Sequence, residues 1–231
     1  MAASPRIQKS NKQDNSAGRQ DRLAEFDLHI FVLNERGKGD KPLAQGGAPV
    51  LNDVANRFDW LRRRGTIAPS SRFLVRRMLG RLDFSRDMDL LQLGFGTGVF
   101  TEEIVRRMTP RSTVTVFEVD ERCRAHVVDD LRVTYVEASA ETISEHFPGK
   151  RFDNIVSTLP FASLPRQVSL NVFSQIRAHL ATNGKLLQFQ YSLVSRNDLR
   201  DLFGSEPEID FELRNLPPAF IYDVRNGEAP V

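Results

Sequence analysis

The stretch that most constrains the fold is residues 89–98, Asp-Leu-Leu-Gln-Leu-Gly-Phe-Gly-Thr-Gly. Leu90, Leu91 and Leu93 form a short apolar run that stops at Gly94. Gly94, Gly96 and Gly98 then alternate, and a helical pattern begins at Val99-Phe100-Thr101-Glu102-Glu103-Ile104. This predicts a buried strand, a tight glycine turn and a helix. Glycine tolerates positive φ and lets a ligand approach bare backbone. The helix start adds unpaired N–H groups and a positive dipole end.

The spacing narrows the ligand class. A dinucleotide fingerprint needs a glycine where Val99 stands. The GxGxG form is the one usual in S-adenosylmethionine (SAM) sites. From residue 89 onward strand and helix patterns alternate. Strands are predicted at 89–93, 113–119, 132–137, 152–158 and 184–191, and helices at 98–108, 121–130, 140–146, 165–180 and 197–203. Alternation of this kind predicts an α/β fold with a doubly wound, mostly parallel sheet. Two further strand-like runs, 208–214 and 219–225, have no helix between them and predict a closing antiparallel hairpin. The expected architecture is a Rossmann-like class I methyltransferase, seven-stranded and preceded by amphipathic helices.

Upstream, residues 1–20 are polar and read as a disordered tail without an apolar signal core. Residues 21–86 read as an N-terminal segment of amphipathic helices and linker that faces substrate or membrane, and 87–231 as the methyltransferase domain. Within 21–33 the apolar spacing fits a helix or a strand. Leu51, Val54, Ala55, Phe58 and Leu61 recur at helical spacing, followed by Arg62, Arg63 and Arg64. From Arg57 to Arg81 there are eight arginines and one acid, Asp59, a net +7 within an overall charge of only +2. Basic, aromatic-bearing amphipathic chain suits a polyanionic surface, so Phe58, Trp60, Arg62, Arg63 and Arg64 are the expected membrane contacts. Ser70 or Ser71 is positioned to cap a helix running to about residue 80.

No apolar run approaches the ~20 residues of a spanning helix. A single cysteine, Cys123, excludes an internal disulfide framework. These features predict a cytoplasmic protein peripherally associated with the inner face of the membrane. No histidine or cysteine cluster has metal-ligand spacing, so no metal is expected.

In open α/β sheets ligands bind beyond the carboxyl ends of the strands. Gly94, Phe95, Gly96 and Gly98 follow the first strand. Glu118, 20 residues past Gly98, ends the second and is placed to accept ribose hydroxyls, with Val119 beside it. Ser139 and Ala140 follow the third strand, at the expected adenine contact, with Glu137 or Glu141 as alternatives. Ser157, Thr158, Leu159, Pro160 and Phe161 close the fourth, beside the methyl donor.

Several strings then converge. Ile67-Ala68-Pro69-Ser70-Ser71-Arg72-Phe73-Leu74, the glycine turn, Val156-Ser157-Thr158-Leu159-Pro160, Gln188-Phe189-Gln190-Tyr191-Ser192 and Asn215-Leu216-Pro217-Pro218-Ala219 occur in this order over residues 50–225. In this the chain resembles the bacterial phospholipid N-methyltransferases, which methylate phosphatidylethanolamine toward phosphatidylcholine. The resemblance implies SAM as methyl donor and S-adenosylhomocysteine (SAH) as product. It implies Tyr191 and Ser71 in catalysis, and Ser70, Arg72, Thr158, Leu159 and Pro160 at the acceptor, with Arg72 on the lipid phosphate. It implies an anionic membrane surface and a phospholipid as partners. Nucleic acid and an obligate protein partner are not expected. Gln92 stands where the family has Glu, and Ser139 where it has Asp. These departures leave open an ornithine-lipid acceptor or a non-catalytic lipid-binding relative. Thr158-Leu159-Pro160-Phe161 also resembles the Asn-Leu-Pro-Tyr of ribosomal RNA adenine dimethyltransferases, but Thr158 lacks the amide.

Overall fold

The computed structural model describes residues 70–227. The expectations for the tail, the 21–33 segment, the 51–64 helix and the contacts Phe58, Trp60, Arg62, Arg63 and Arg64 lie outside them. The described elements are α1 (Arg72–Leu79), β1 (Asp89–Leu93), α2 (Val99–Arg107), β2 (Thr113–Phe117), β3 (Val133–Val136), α3 (Ile143–His146), β4 (Phe152–Ser157), α4 (Arg166–His179), β5 (Leu180–Gln190), α5 (Arg196–Phe203), β6 (Glu208–Glu212) and β7 (Ala219–Arg225).

One seven-stranded sheet has the order β3-β2-β1-β4-β5-β7-β6. The first five strands are parallel; β7 runs antiparallel to β5 and to β6. The order reverses between β1 and β4, so their carboxyl ends open the crevice in which such sheets bind ligands. The expected fold is the observed one.

Strand periodicity divides the core. Leu91, Leu93, Ile155 and Leu186 face one side and pack with Val172, Phe173 and Ile176 of α4 and Leu199 of α5. Leu90, Val114, Val116, Val156 and Leu187 face the other, against Leu74, Met78 and Leu79 of α1 and Phe100 and Ile104 of α2. Alternate residues of a strand point to opposite faces, and helices cover both, so strands such as β1 read as continuous apolar runs.

Two local expectations change. Residues 121–130 form only a 3-10 helix, Glu121–His126, because Cys123 is its one buried residue and no apolar face supports a longer α-helix. Its Arg124 pairs with Glu137 at the end of β3. The second change concerns the basic run. Arg77 and Arg81 of α1 do not face a polyanion: they clamp α1 to the terminal hairpin. Arg77 holds Asp210 bidentately at 2.8 and 2.7 Å, and Arg81 reaches Asp210 at 2.9 Å and Asp223 at 3.3 Å. Arg72 and Arg76 are exposed and have no carboxylate partner among the described residues. No helix among the described residues is long and apolar enough to cross a membrane.

Candidate active site

The glycine turn is built from β1 outward. Gly94, Gly96 and Gly98 all have positive φ, 84°, 60° and 80°. At Gly94 a Cβ would lie 2.6 Å from Thr158 Oγ1, so only glycine lets β1 pass this close to the end of β4. At Gly96 nothing lies within 4 Å of that position, leaving bare backbone facing open space at the switch point. The turn thus has the cradle that an adenosyl-methionine ligand needs. The bare backbone at Gly96 and the start of α2 would face the cofactor, while the Gly94, Phe95, Gly96 and Gly98 N–H groups are taken by Phe117 O, Glu118 and Phe95 O.

Buried polar groups fix the turn. Gln92 is fully buried; its Nε2 donates to Gly94 O at 2.9 Å and its Oε1 accepts from Thr101 Oγ1 at 2.9 Å. A glutamate here has no donor for Gly94 O, so the departure from the family pattern is matched by the geometry around it. Thr158 Oγ1 lies 3.0 Å from Gly94 O and 3.3 Å from Leu93 O. Its hydroxyl is therefore turned to backbone carbonyls rather than presented to an acceptor. Phe95 buries its ring edge-on to Tyr135, 5.4 Å between centroids, and offers only its backbone to the crevice.

Glu118 sits at the end of β2 as its spacing predicts. Its Oε2 accepts from the Phe95 and Gly96 N–H groups at 2.9 and 3.2 Å, and its Oε1 from Val119 and Asp120 at 2.9 and 3.0 Å. The carboxylate braces the turn from the end of β2. Ser139 is buried and caps the following 3-10 turn by accepting from the Glu141 N–H at 3.2 Å; Ala140 is buried beneath it. The alternatives at this strand end are engaged elsewhere, Glu137 with Arg124 and Glu141 with Asn171 Nδ2 at 2.8 Å. Ser157 is fully buried, and its Oγ accepts from the Leu159 N–H at 3.4 Å. Leu159 and Pro160 are half-buried, and Gln190 Nε2 at the end of β5 donates to Leu159 O at 2.7 Å.

A second group forms where α1, β5 and the hairpin meet. Ser71 caps α1, its Oγ accepting from the Leu74 N–H at 3.2 Å. Its own N–H donates to Asn215 Oδ1 at 2.9 Å, and Asn215 Nδ2 donates to Pro217 O at 2.7 Å. The Tyr191 hydroxyl lies beside Asn215, out of solvent and without a hydrogen bond of good geometry. Burial raises its pKa above the usual phenol value, and the neighbouring Asn215 offsets part of that rise. Such a phenol stays protonated near neutrality and serves as a hydrogen-bonding group rather than a base. Asn215 is a participant that spacing alone does not single out; its signal was the Asn-Leu-Pro-Pro string.

A cleft of about 260 Å3 lies between α1 and α2, lined by Ser70, Arg72, Arg76, Val99, Glu102 and Arg106 among others. Arg72 also lies 5.1 Å from the Phe73 ring centroid. The cleft therefore joins the glycine-turn helix to the Pro-Ser-Ser segment, and carries both signs of charge.

Comparison with known proteins agrees with the fold. Residues 90–184 match the family model of a methyltransferase domain. An ornithine lipid N-methyltransferase from Singulisphaera acidiphila is 29% identical over 168 residues, covering 69% of this chain and 87% of that protein. The fold is shared with 1,6-didemethyltoxoflavin-N1-methyltransferase from Burkholderia thailandensis, solved with SAH (TM-score 0.59, 16% identity, 82% of this chain and 94% of that one). It is shared also with the N-methyltransferase NodS from Bradyrhizobium japonicum with SAH (TM-score 0.51, 16% identity, 78% and 97%). Residues 90–184 thus carry a methyltransferase domain, and the sheet order and glycine cradle give it a Rossmann-like, SAM-dependent methyltransferase fold.

Proposed function

We propose that the chain N-methylates the amino head group of a membrane lipid. The observation that carries this is a junction of three distant strings: Ser71 bonds Asn215, and Asn215 borders a buried Tyr191 hydroxyl that makes no hydrogen bond of good geometry. A buried polar group left unpaired is costly, so a Tyr191 hydroxyl kept here has a use when ligands are bound. SAM supplies an electrophilic methyl group on a sulfonium and leaves as the neutral thioether SAH.

The acceptor must arrive as a neutral amine, because an ammonium has no lone pair. The Tyr191 oxygen accepts one amine N–H, which turns the nitrogen lone pair toward the crevice above Gly96. Ser71 and Asn215 hold the phenol in place by fixing α1 to the hairpin. Gln190 holds the Leu159-Pro160 wall across from it. Holding donor and acceptor in line contributes much of the acceleration expected of such a site. Glu118, with the Phe95–Gly98 backbone, binds the ribose side of the cofactor, and Ser139 and Ala140 border the adenine. Arg72 and Arg76 take the anionic part of a zwitterionic head group, with Glu102 across the cleft.

Two acceptors fit this chemistry. The sequence strings favour phosphatidylethanolamine, methylated toward phosphatidylcholine. The Singulisphaera relative favours ornithine lipid, which offers a carboxylate instead of a phosphate to Arg72. Incubation with labelled SAM, both lipids and ribosomal RNA, followed by separation of the lipid and RNA products, tests the proposal. Label in one or both lipids supports it; label in RNA and none in lipid overturns it.

A further inference from the structure

The carboxyl edge of the sheet carries apolar side chains that nothing in the catalytic site uses. β5 and β7 pair antiparallel, with Gln190 opposite Phe220, so the loop after β5 and the turn before β7 leave the same edge. The loop ends in Leu193 and Val194, 45% and 66% exposed. The turn carries Leu213 and Leu216, 72% and 61% exposed. Four large apolar side chains on two adjacent tips are more than scattered surface leucines, and exposed apolar groups clustered at one site mark interaction surfaces. Their loops are anchored: Tyr222 Oη donates to Ser192 O at 2.9 Å, and Asn215 is fixed by Ser71 and Pro217.

The charges beside these tips identify the partner. Arg214, between the two leucines of the turn, stacks its guanidinium 4.4 Å over the Phe73 ring while bonded to Glu212. Arg72 and Arg76 follow on α1 without carboxylate partners among the described residues. The nearby acids Glu212 and Asp210 are already engaged by Arg214, Arg77 and Arg81, which leaves Arg72 and Arg76 as the cations beside the apolar tips that no described carboxylate pairs with. Apolar tips ringed by arginine suit the interface of an anionic bilayer, where the side chains enter the acyl boundary and the cations meet lipid phosphates.

We propose that Leu193–Val194 and Leu213–Leu216 form a membrane-insertion edge that seats the mouth of the active site on an anionic lipid bilayer. The inference builds on the reading of the acceptor as a membrane lipid. It explains how a lipid head group reaches the Tyr191 site without leaving the bilayer, because the inserting tips and the ligand crevice share one edge of the sheet.

The test uses the full chain and sedimentation with vesicles of phosphatidylglycerol and phosphatidylcholine, compared with phosphatidylcholine alone. The double variants Leu213→Ser/Leu216→Ser and Leu193→Ser/Val194→Ser are each expected to bind anionic vesicles at least about tenfold more weakly, with SAH affinity within about twofold. Hydrogen exchange of the unaltered chain is expected to slow at 193–194 and 213–216 when vesicles are added, which does not depend on how the variants fold. Unchanged vesicle binding by both variants, no vesicle binding by the unaltered chain, or a dimer that the variants abolish while vesicle binding persists, overturns the insertion edge. Methyl transfer to detergent-dispersed lipid is measured separately. Its absence, with vesicle binding still dependent on the tips, overturns the proposed acceptor and leaves the insertion edge standing.

Discussion

The Ser71 N–H donates to Asn215 Oδ1 at 2.9 Å across 144 positions of sequence. That bond joins the helix before the sheet to the hairpin that closes it. Asn215 is 1% exposed and uses both ends of its amide. Replacing Asn215 by Ala leaves the Ser71 N–H and Pro217 O without their partner, and is expected to cost about 1–3 kcal/mol. Urea unfolding measures this. A cost below the error of extrapolation would mean that water replaces the amide and that the junction is not a structural hinge point.

Tyr191→Phe separates chemistry from packing. The hydroxyl makes no hydrogen bond of good geometry, so its removal is expected to leave stability unchanged or slightly raised. Turnover with lipid is expected to fall about tenfold or more, from the loss of one oriented hydrogen bond. Because burial raises the Tyr191 pKa, the phenol does not titrate near neutrality. Rate should therefore climb with pH as the acceptor amine, whose ordinary pKa is about 10, loses its proton. The variant should show the same climb at a lower level. A flattened profile in the variant would assign Tyr191 the role of a base and overturn this one.

Glu118 offers a direct probe of the cofactor side. Its two oxygens accept four backbone N–H groups, two of them from the glycine turn. Glu118→Gln replaces one acceptor with a donor that faces those N–H groups. SAH affinity is expected to fall about 10- to 100-fold by the loss of charge-assisted bonds. Calorimetric titration with SAH reads the change, and an unchanged affinity would remove Glu118 from the ribose side of the site.

How far these sites were readable from sequence depends on the distance between partners. The strand, glycine turn and helix at 89–107 are contiguous, so their pattern survives in the residue order. Glu118 follows from a fixed spacing along one strand–helix–strand unit. Within the Arg-rich stretch only Arg77 and Arg81 read differently in the fold, because their partners, Asp210 and Asp223, lie more than a hundred residues downstream and come near only when the hairpin folds back on α1. Thr158 read as an acceptor contact because its position matched a motif. Its hydroxyl direction is set by the carbonyls of Leu93 and Gly94, which only the sheet brings near. The strings containing Ser71, Tyr191 and Asn215 named the participants, but not that they meet.

Gln92→Glu restores the residue that the family pattern prefers and is expected to harm this chain. The new carboxylate would face Gly94 O, where Gln92 Nε2 now donates, in a fully buried position. A buried carboxylate that keeps only the Thr101 Oγ1 hydrogen bond and faces a carbonyl is expected to cost about 2–4 kcal/mol near neutral pH. Burial beside a carbonyl raises the folded-state pKa of that carboxyl, so the folded protein binds the proton more tightly than the unfolded chain. The penalty should shrink as pH falls toward about 4 and grow as pH rises above it. Thermal unfolding at pH 5 and pH 8 measures both parts, and a variant that binds SAH more tightly without loss of stability would sink the idea.

The clamp between α1 and the hairpin gives the opposite pH signature. The Arg77 guanidinium, and with it Arg81, holds the Asp210 carboxyl well below the usual carboxylate range. Arg214, assisted by Arg77, holds Glu212 at about 2. Carboxyls with depressed folded-state pKa values stabilise the fold above their unfolded values, near 4, and lose that contribution as pH falls toward the folded ones. Arg77→Met removes part of this while keeping the aliphatic stem. Because Arg77 is 41% exposed, the expected loss at pH 7 is small, about 0.5–1 kcal/mol. The difference between the two proteins should be constant from pH 7 to about 5 and close progressively between about pH 4 and 2. Urea midpoints measured across that range test it. A difference that stays constant down to pH 2 would mean that Arg77 contributes through packing of its stem and not through its carboxylate partners.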